Sequence, residues 1–146
     1  MSKCNETCAD ITLGGSGPKI NMCAPKNDKM LRTLVKSEMK KDVYKLLKNR
    51  WYSRGFGLDI GGHVGTTAVF LALLNPFMVV NTFEPSLENL NCMRRNVRHH
   101  NLESRIKIHY ALASDNDGVH TFEHSTDDTT SSHELAFGGT FGSMRK

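Results

Sequence analysis

From Leu31 onward, apolar side chains recur at spacings of three and four. Leu31, Leu34, Val35, Met39, Val43, Leu46 and Leu47 fall on one side, with lysines on the other. Asn27 and Asp28 stand just ahead as helix caps, so the pattern predicts one amphipathic helix of about 20 residues, packing a stripe and wetting the rest. Arg54-Gly55 ends it and the period changes. Phe56-Gly57-Leu58-Asp59-Ile60 is a short apolar run closing on an acid, and Gly61-Gly62-His63-Val64-Gly65 follows. Thr66 to Leu74 is apolar on every side, which predicts a helix covered on more than one face, stopped by Asn75-Pro76. Phe77 to Phe83 is nearly continuous and rich in β-branched residues, the mark of a buried parallel strand.

Glu84-Pro85-Ser86 follows, with a proline suited to a first helical turn. Leu87, Leu90, Met93 and Val97 then line one side of a helix ending near Asn101. Arg105 to Leu112 reads as a third strand, and after the Asp-Asn-Asp-Gly turn at 115–118 a short fourth strand is expected over Val119–Phe122. Helices and strands alternate at the pitch of crossover units. The fold class is therefore α/β: a Rossmann-like, mostly parallel sheet with helices on both faces, of which this chain carries the first half. Residues 1–27 read as an irregular leader, because Gly14-Gly15-Ser16-Gly17-Pro18 sustains neither helix nor central strand. The domain is expected over 28–123, with a polar, poorly ordered tail over 124–146, where Ser, Thr, Asp and Gly dominate.

Composition narrows the classes. With 146 residues, 38% apolar and 23% charged, the chain suits one domain with a core. No apolar run approaches the roughly 20 residues of a membrane span. The first residues lack the apolar stretch of a secretory signal, so a cytosolic address is expected. The net charge of +4 is uneven: residues 26–54 carry ten basic and three acidic side chains, and residues 115–134 carry six acidic ones without Lys or Arg. The basic stretch reads as a solvated helix face, and no nucleic-acid partner is expected. Four cysteines stand at 4, 8, 23 and 92 without zinc spacing, which predicts free thiols in a reducing compartment. His120-x3-His124 does not bring two rings together on a strand or loop, so no metal site is expected. His99 and His100, near a helix end, serve the helix dipole and solvent.

Ligands of such folds sit beyond the carboxyl ends of the strands. There the chain places Asp59-Ile60-Gly61-Gly62-His63-Val64-Gly65, and 25 positions after Asp59 comes Glu84, at the end of the second strand. Gly61 and Gly65 allow a tight turn and a close ligand, and Glu84 is placed to accept hydrogen bonds from a ribose diol. A carboxylate just ahead of the first glycine repels pyrophosphate and attracts a cation. S-adenosylmethionine has a sulfonium, an ammonium, a ribose and no phosphate, and so fits better than NAD. The plainer roles are that Asp59 caps the following helix, that Glu84 only starts one, and that His63 is a loop side chain instead of a general base.

These residues carry a resemblance. Leu58-Asp59-Ile60-Gly61-Gly62-His63-Val64-Gly65, then Phe83-Glu84-Pro85-Ser86 with Asn89, then Tyr110-Ala111-Leu112-Ala113 resemble the FkbM-type S-adenosylmethionine-dependent methyltransferases, across about half the chain. The resemblance implies that Asp59, Gly61 and Gly65 hold the methionine end and Glu84 the ribose hydroxyls, while Ser86, Ala111 and Leu112 border the adenine. Gly62, His63 and Pro85 complete the expected cofactor-binding set. The family usually has Asn where His63 stands. It mainly methylates hydroxyl oxygens of sugars and other small molecules, so the expected partner is a small-molecule hydroxyl acceptor. Family members continue through further strands that nothing after His124 resembles, so a C-terminally truncated domain is expected. The rival expectation is a non-catalytic remnant that binds cofactor or a partner, with self-association through an open sheet edge.

Overall fold

The computed structural model describes residue 4, residues 6–48 and residues 54–115. The segment expected to be a leader is instead a β-hairpin. β1 (Glu6–Thr12) pairs antiparallel with β2 (Lys19–Pro25), Ile11 opposite Ile20 and Cys8 opposite Cys23. The glycines that exclude a strand make the connecting turn: Gly14 and Gly15 take φ of 61° and 76°, and Gly17 N–H donates to the Leu13 carbonyl at 2.8 Å. Ile11 and Leu13 on one side of that turn, and Ile20, Met22 and Ala24 on the other, are buried. This is the two-residue alternation of a half-buried hairpin.

The hairpin also corrects the expectation of free thiols. Cys8 and Cys23 face each other across the strands and form a disulfide, and Cys4 is bonded to Cys92 of the third helix. Such bonds persist in oxidising surroundings.

The expected 20-residue helix is shorter. A π-helical turn, Leu31–Val35, in which Val35 N–H donates to the Met30 carbonyl, runs into α1 (Lys36–Lys41). Asp42 then turns left-handed, with φ 50°, and its carboxylate accepts from Leu46 and Leu47 N–H at 2.7 and 3.1 Å, reversing the chain. Only Leu31, Met39 and Leu46 of the stripe are buried, and Leu34 and Val43 are exposed. The lysines at 36, 40, 41, 45 and 48 are solvated.

Next come β3 (Arg54–Ile60), α2 (Thr66–Leu74), β4 (Phe77–Glu84), α3 (Leu87–His99) and β5 (Ile106–Tyr110). The three strands form a parallel sheet in the order β3-β4-β5, with Asp59 opposite Thr82 and Glu84 opposite Tyr110. This is the α/β crossover arrangement of a Rossmann-like unit. α2 is buried through Ala68, Val69, Phe70 and Ala72, as its apolar run requires. Ser86 caps α3, whose Leu90, Met93 and Val97 are buried while Leu87 is exposed.

One sheet face, with Met78, Val80 and Thr82, looks into the core. On β3 the inward positions are Gly55, Gly57 and Asp59, and a Cβ at Gly57 would lie 3.0 Å from Met78 Sδ. The large side chains of β3 therefore point the other way: Phe56, Leu58 and Ile60 are 83%, 64% and 61% exposed. Coverage on both faces was expected; among the described residues the helices cover one. β3 pairs only with β4 there. No helix among the described residues is long and apolar enough to cross a membrane. The expected strand at 119–122, the tail and His120 and His124 lie outside the described residues.

Candidate functional site

The site forms where β3 and β4 end. Beyond Ile60 the chain turns on Gly61, His63 and Gly65, with φ of 74°, 52° and 87°. Gly61 and Gly62 N–H both donate to the Phe83 carbonyl at 2.9 Å, which pins the turn over the tip of β4. The left-handed backbone at 63 is one that Asn tolerates better than most residues.

Glu84 ties two turns together. Its Oε2 accepts His63 N–H at 2.8 Å, and its Oε1 accepts Ser86 N–H at 2.9 Å and Asn89 Nδ2 at 3.2 Å. The residue is 5% exposed. A carboxylate offers about four acceptor positions, and three donors leave one of them open.

Asp59 lies beneath the turn. Its Oδ2 accepts from Thr82 Oγ1 at 3.1 Å, and its carboxylate also accepts the Ala68 N–H in the first turn of α2. It thus takes the capping role that Gly65, without a side chain, cannot. Burial is the main influence that raises its pKa, helped by the nearby Glu84 charge and opposed by the Thr82 and Ala68 hydrogen bonds.

A cleft of about 330 Å³ opens above, lined by Gly61, His63, Glu84, Pro85, Ser86, Ala111 and Leu112. These seven of the expected binding residues come together. Asp59, Gly62 and Gly65 do not line it and instead shape its floor. A Cβ at Gly62 would lie 2.1 Å from Thr82 Oγ1, and one at Gly65 would lie 2.9 Å from Met93 Cγ. Met30, Phe83 and Asn89 also line the cleft. Asn89 carried a signal, standing three positions after the Ser86 cap; Met30 carried none.

Asp28 has two roles. As a cap its Oδ1 accepts Leu31 N–H at 3.0 Å, while its Oδ2 pairs with His63 Nε2. Burial pushes the Asp28 carboxyl up, but His63 and the Leu31 and Met30 N–H groups outweigh it and hold the pKa below the ordinary value. Behind the turn, buried Asn96 joins three parts of the chain. Its Oδ1 accepts Cys23 N–H at 2.9 Å, and its Nδ2 donates to the Cys23 and Val64 carbonyls at 2.7 and 2.9 Å. Glu6 approaches Cys8 and Cys23, but both sulfurs are bonded to each other, so this cluster offers one carboxylate and no thiolate.

No protein-family model matches this chain, and no curated protein is significantly similar to it. Among solved structures it is similar to the C-terminal domain of precorrin-6Y C5,15-methyltransferase from Rhodobacter capsulatus, at 26% identity over 41% of this chain with a TM-score of 0.38. It is also similar to the S-adenosylmethionine-dependent methyltransferase SibL, at 21% identity over 65% with a TM-score of 0.49. A third is residues 961–1257 of the StiE O-MT, at 15% identity over 63% with a TM-score of 0.46. The chain spans 32%, 27% and 35% of those structures, respectively. The overlap is partial, so the role of each residue rests on the geometry described above.

Proposed function

We propose that this chain is an S-adenosylmethionine-dependent methyltransferase domain that methylates a hydroxyl of a small molecule or sugar. The observation that carries this reading is Glu84: a buried carboxylate with one open acceptor position, at the wall of a cleft floored by a glycine turn. The cleft fits the cofactor in two further ways. A Cβ at Gly61 would meet nothing within 4 Å, so the backbone is open to a close ligand. The charged side chains of the turn, Asp59 and Glu84, are both acidic and favour a cation over a pyrophosphate.

In this reading Glu84 receives the ribose hydroxyls, Gly61 and His63 border the methionine end, and Ser86, Ala111 and Leu112 flank the adenine. The bound cofactor supplies an already activated methyl group, leaving the protein to align it with the acceptor and exclude water. Calorimetry with S-adenosylmethionine and NAD tests this. Binding of the first only is expected, weakened about tenfold or more in Glu84→Gln by loss of a charge-assisted hydrogen bond. Failure of the unaltered protein to bind S-adenosylmethionine overturns the reading.

A second reading, a cofactor-binding interaction module without transfer chemistry, draws on the open face of Phe56, Leu58 and Ile60. Sedimentation across protein concentration distinguishes it. Association abolished by Leu58→Lys, with cofactor binding but no methyl transfer to hydroxyl acceptors, favours the module.

A further inference from the structure

We infer that His63 is the group that takes the acceptor's proton, and that Asp28 is the positioning residue that holds it; this rests on reading the cleft as the cofactor site. The pair crosses 35 positions of sequence to meet. Its side chains are 19% and 8% exposed. Capping Leu31 needs one oxygen of Asp28 and no histidine, and a plain loop histidine needs no buried carboxylate. Burying both groups is costly unless each serves the other.

The geometry settles which nitrogen works. Nε2 faces the Asp28 carboxylate, so the neutral ring keeps its proton there and presents the lone pair of Nδ1. His63 lines the cleft, and its backbone N–H rests on Glu84, the residue assigned to the ribose. Sulfur is attached to the same sugar through one carbon, so the cofactor reading brings His63 near the reacting centre. In the transfer, the acceptor oxygen bonds to the methyl carbon as the carbon–sulfur bond breaks with its pair left on sulfur. The hydroxyl proton passes to Nδ1. One positive charge thereby moves from sulfur to the imidazolium, next to the ionised Asp28.

The charged groups that meet the turn are Asp28 after β2, Asp59 from β3 and Glu84 from β4, with Tyr44 beyond Asp59. The helices bring Met93 and Asn96 to it, neither of which titrates.

The test needs no acceptor. Calorimetric affinities for S-adenosylmethionine and S-adenosylhomocysteine are compared from about pH 8 down to about pH 5.5, the interval where histidine gains its proton. An imidazolium repels the sulfonium and leaves the neutral thioether alone. The affinity ratio is therefore expected to fall about tenfold on acidification. His63→Asn, which suits the left-handed backbone, abolishes that fall, and Asp28→Asn, which releases the ring from its partner, diminishes it. A ratio that stays constant with pH while both compounds bind, or a fall that persists in His63→Asn, overturns the inference alone. Failure to bind either compound overturns the cofactor reading, and this inference with it.

Discussion

Gly61 and Gly62 are adjacent in sequence and constrained differently. A methyl group on Gly62 collides with Thr82 Oγ1 and with Met93 Cε at 2.9 Å, whereas one on Gly61 meets open space but requires φ of 74°. Gly62→Ala is expected to cost about 2–3 kcal/mol by overpacking and Gly61→Ala about 1–2 kcal/mol from its backbone, measured by denaturant unfolding. Asn96→Ala removes three buried hydrogen bonds and leaves Cys23 and Val64 groups unpaired, for a loss of about 3 kcal/mol or more in the same assay. The acids give opposite pH signatures. Asp28 has a folded pKa below 3.8, so its stabilisation is complete above that value and is lost as pH falls through the lower folded one. Asp59 has a folded pKa above 3.8, so its ionisation opposes folding increasingly as pH rises through the raised value. Unfolding from about pH 3 to pH 7 is the check: Asp28→Asn should be most damaging near pH 7 and approach the unaltered protein in acid. Asp59→Asn should compare most favourably near pH 7. The glycine turn and Glu84 were legible from sequence because each is local, a few residues at one strand end. The Asp28–His63 pair was not, since nothing near either residue names the other.

At the level of elements, the alternating strands and helices from 54 to 110 were legible from period and punctuation. The hairpin was not, because the glycine cluster was read as breaking structure when it joins two short strands of alternating burial. The first helix was overestimated for a related reason: apolar spacing continues past Asp42, but that side chain caps Leu46 and Leu47 and turns the chain back. The cysteines were misread because sequence spacing does not show which strands face each other. Their bonds predict unequal stabilisation. Cys8–Cys23 closes a separation of 15 residues and Cys4–Cys92 one of 88. Chain entropy gives about 3 and 4.6 kcal/mol, respectively. Denaturant midpoints of the paired serine variants should fall in that order, the larger fall belonging to Cys4→Ser with Cys92→Ser.

At the scale of the molecule, one core among the described residues joins the hairpin, α2, α3 and the inner face of the sheet. The hairpin reaches the cleft through Asn96, so damage at Cys23 is felt at Val64 in the glycine turn. Alternation of strands and helices did not reveal the sheet's outer face, because Phe56, Leu58 and Ile60 look like a core strand until the glycines between them are seen to occupy the inner side. The Cys4–Cys92 bond makes nearly the whole βαβα region a covalent ring. A protease that cuts once anywhere inside that ring releases nothing: the product migrates as a single species until a thiol is added, then separates into two.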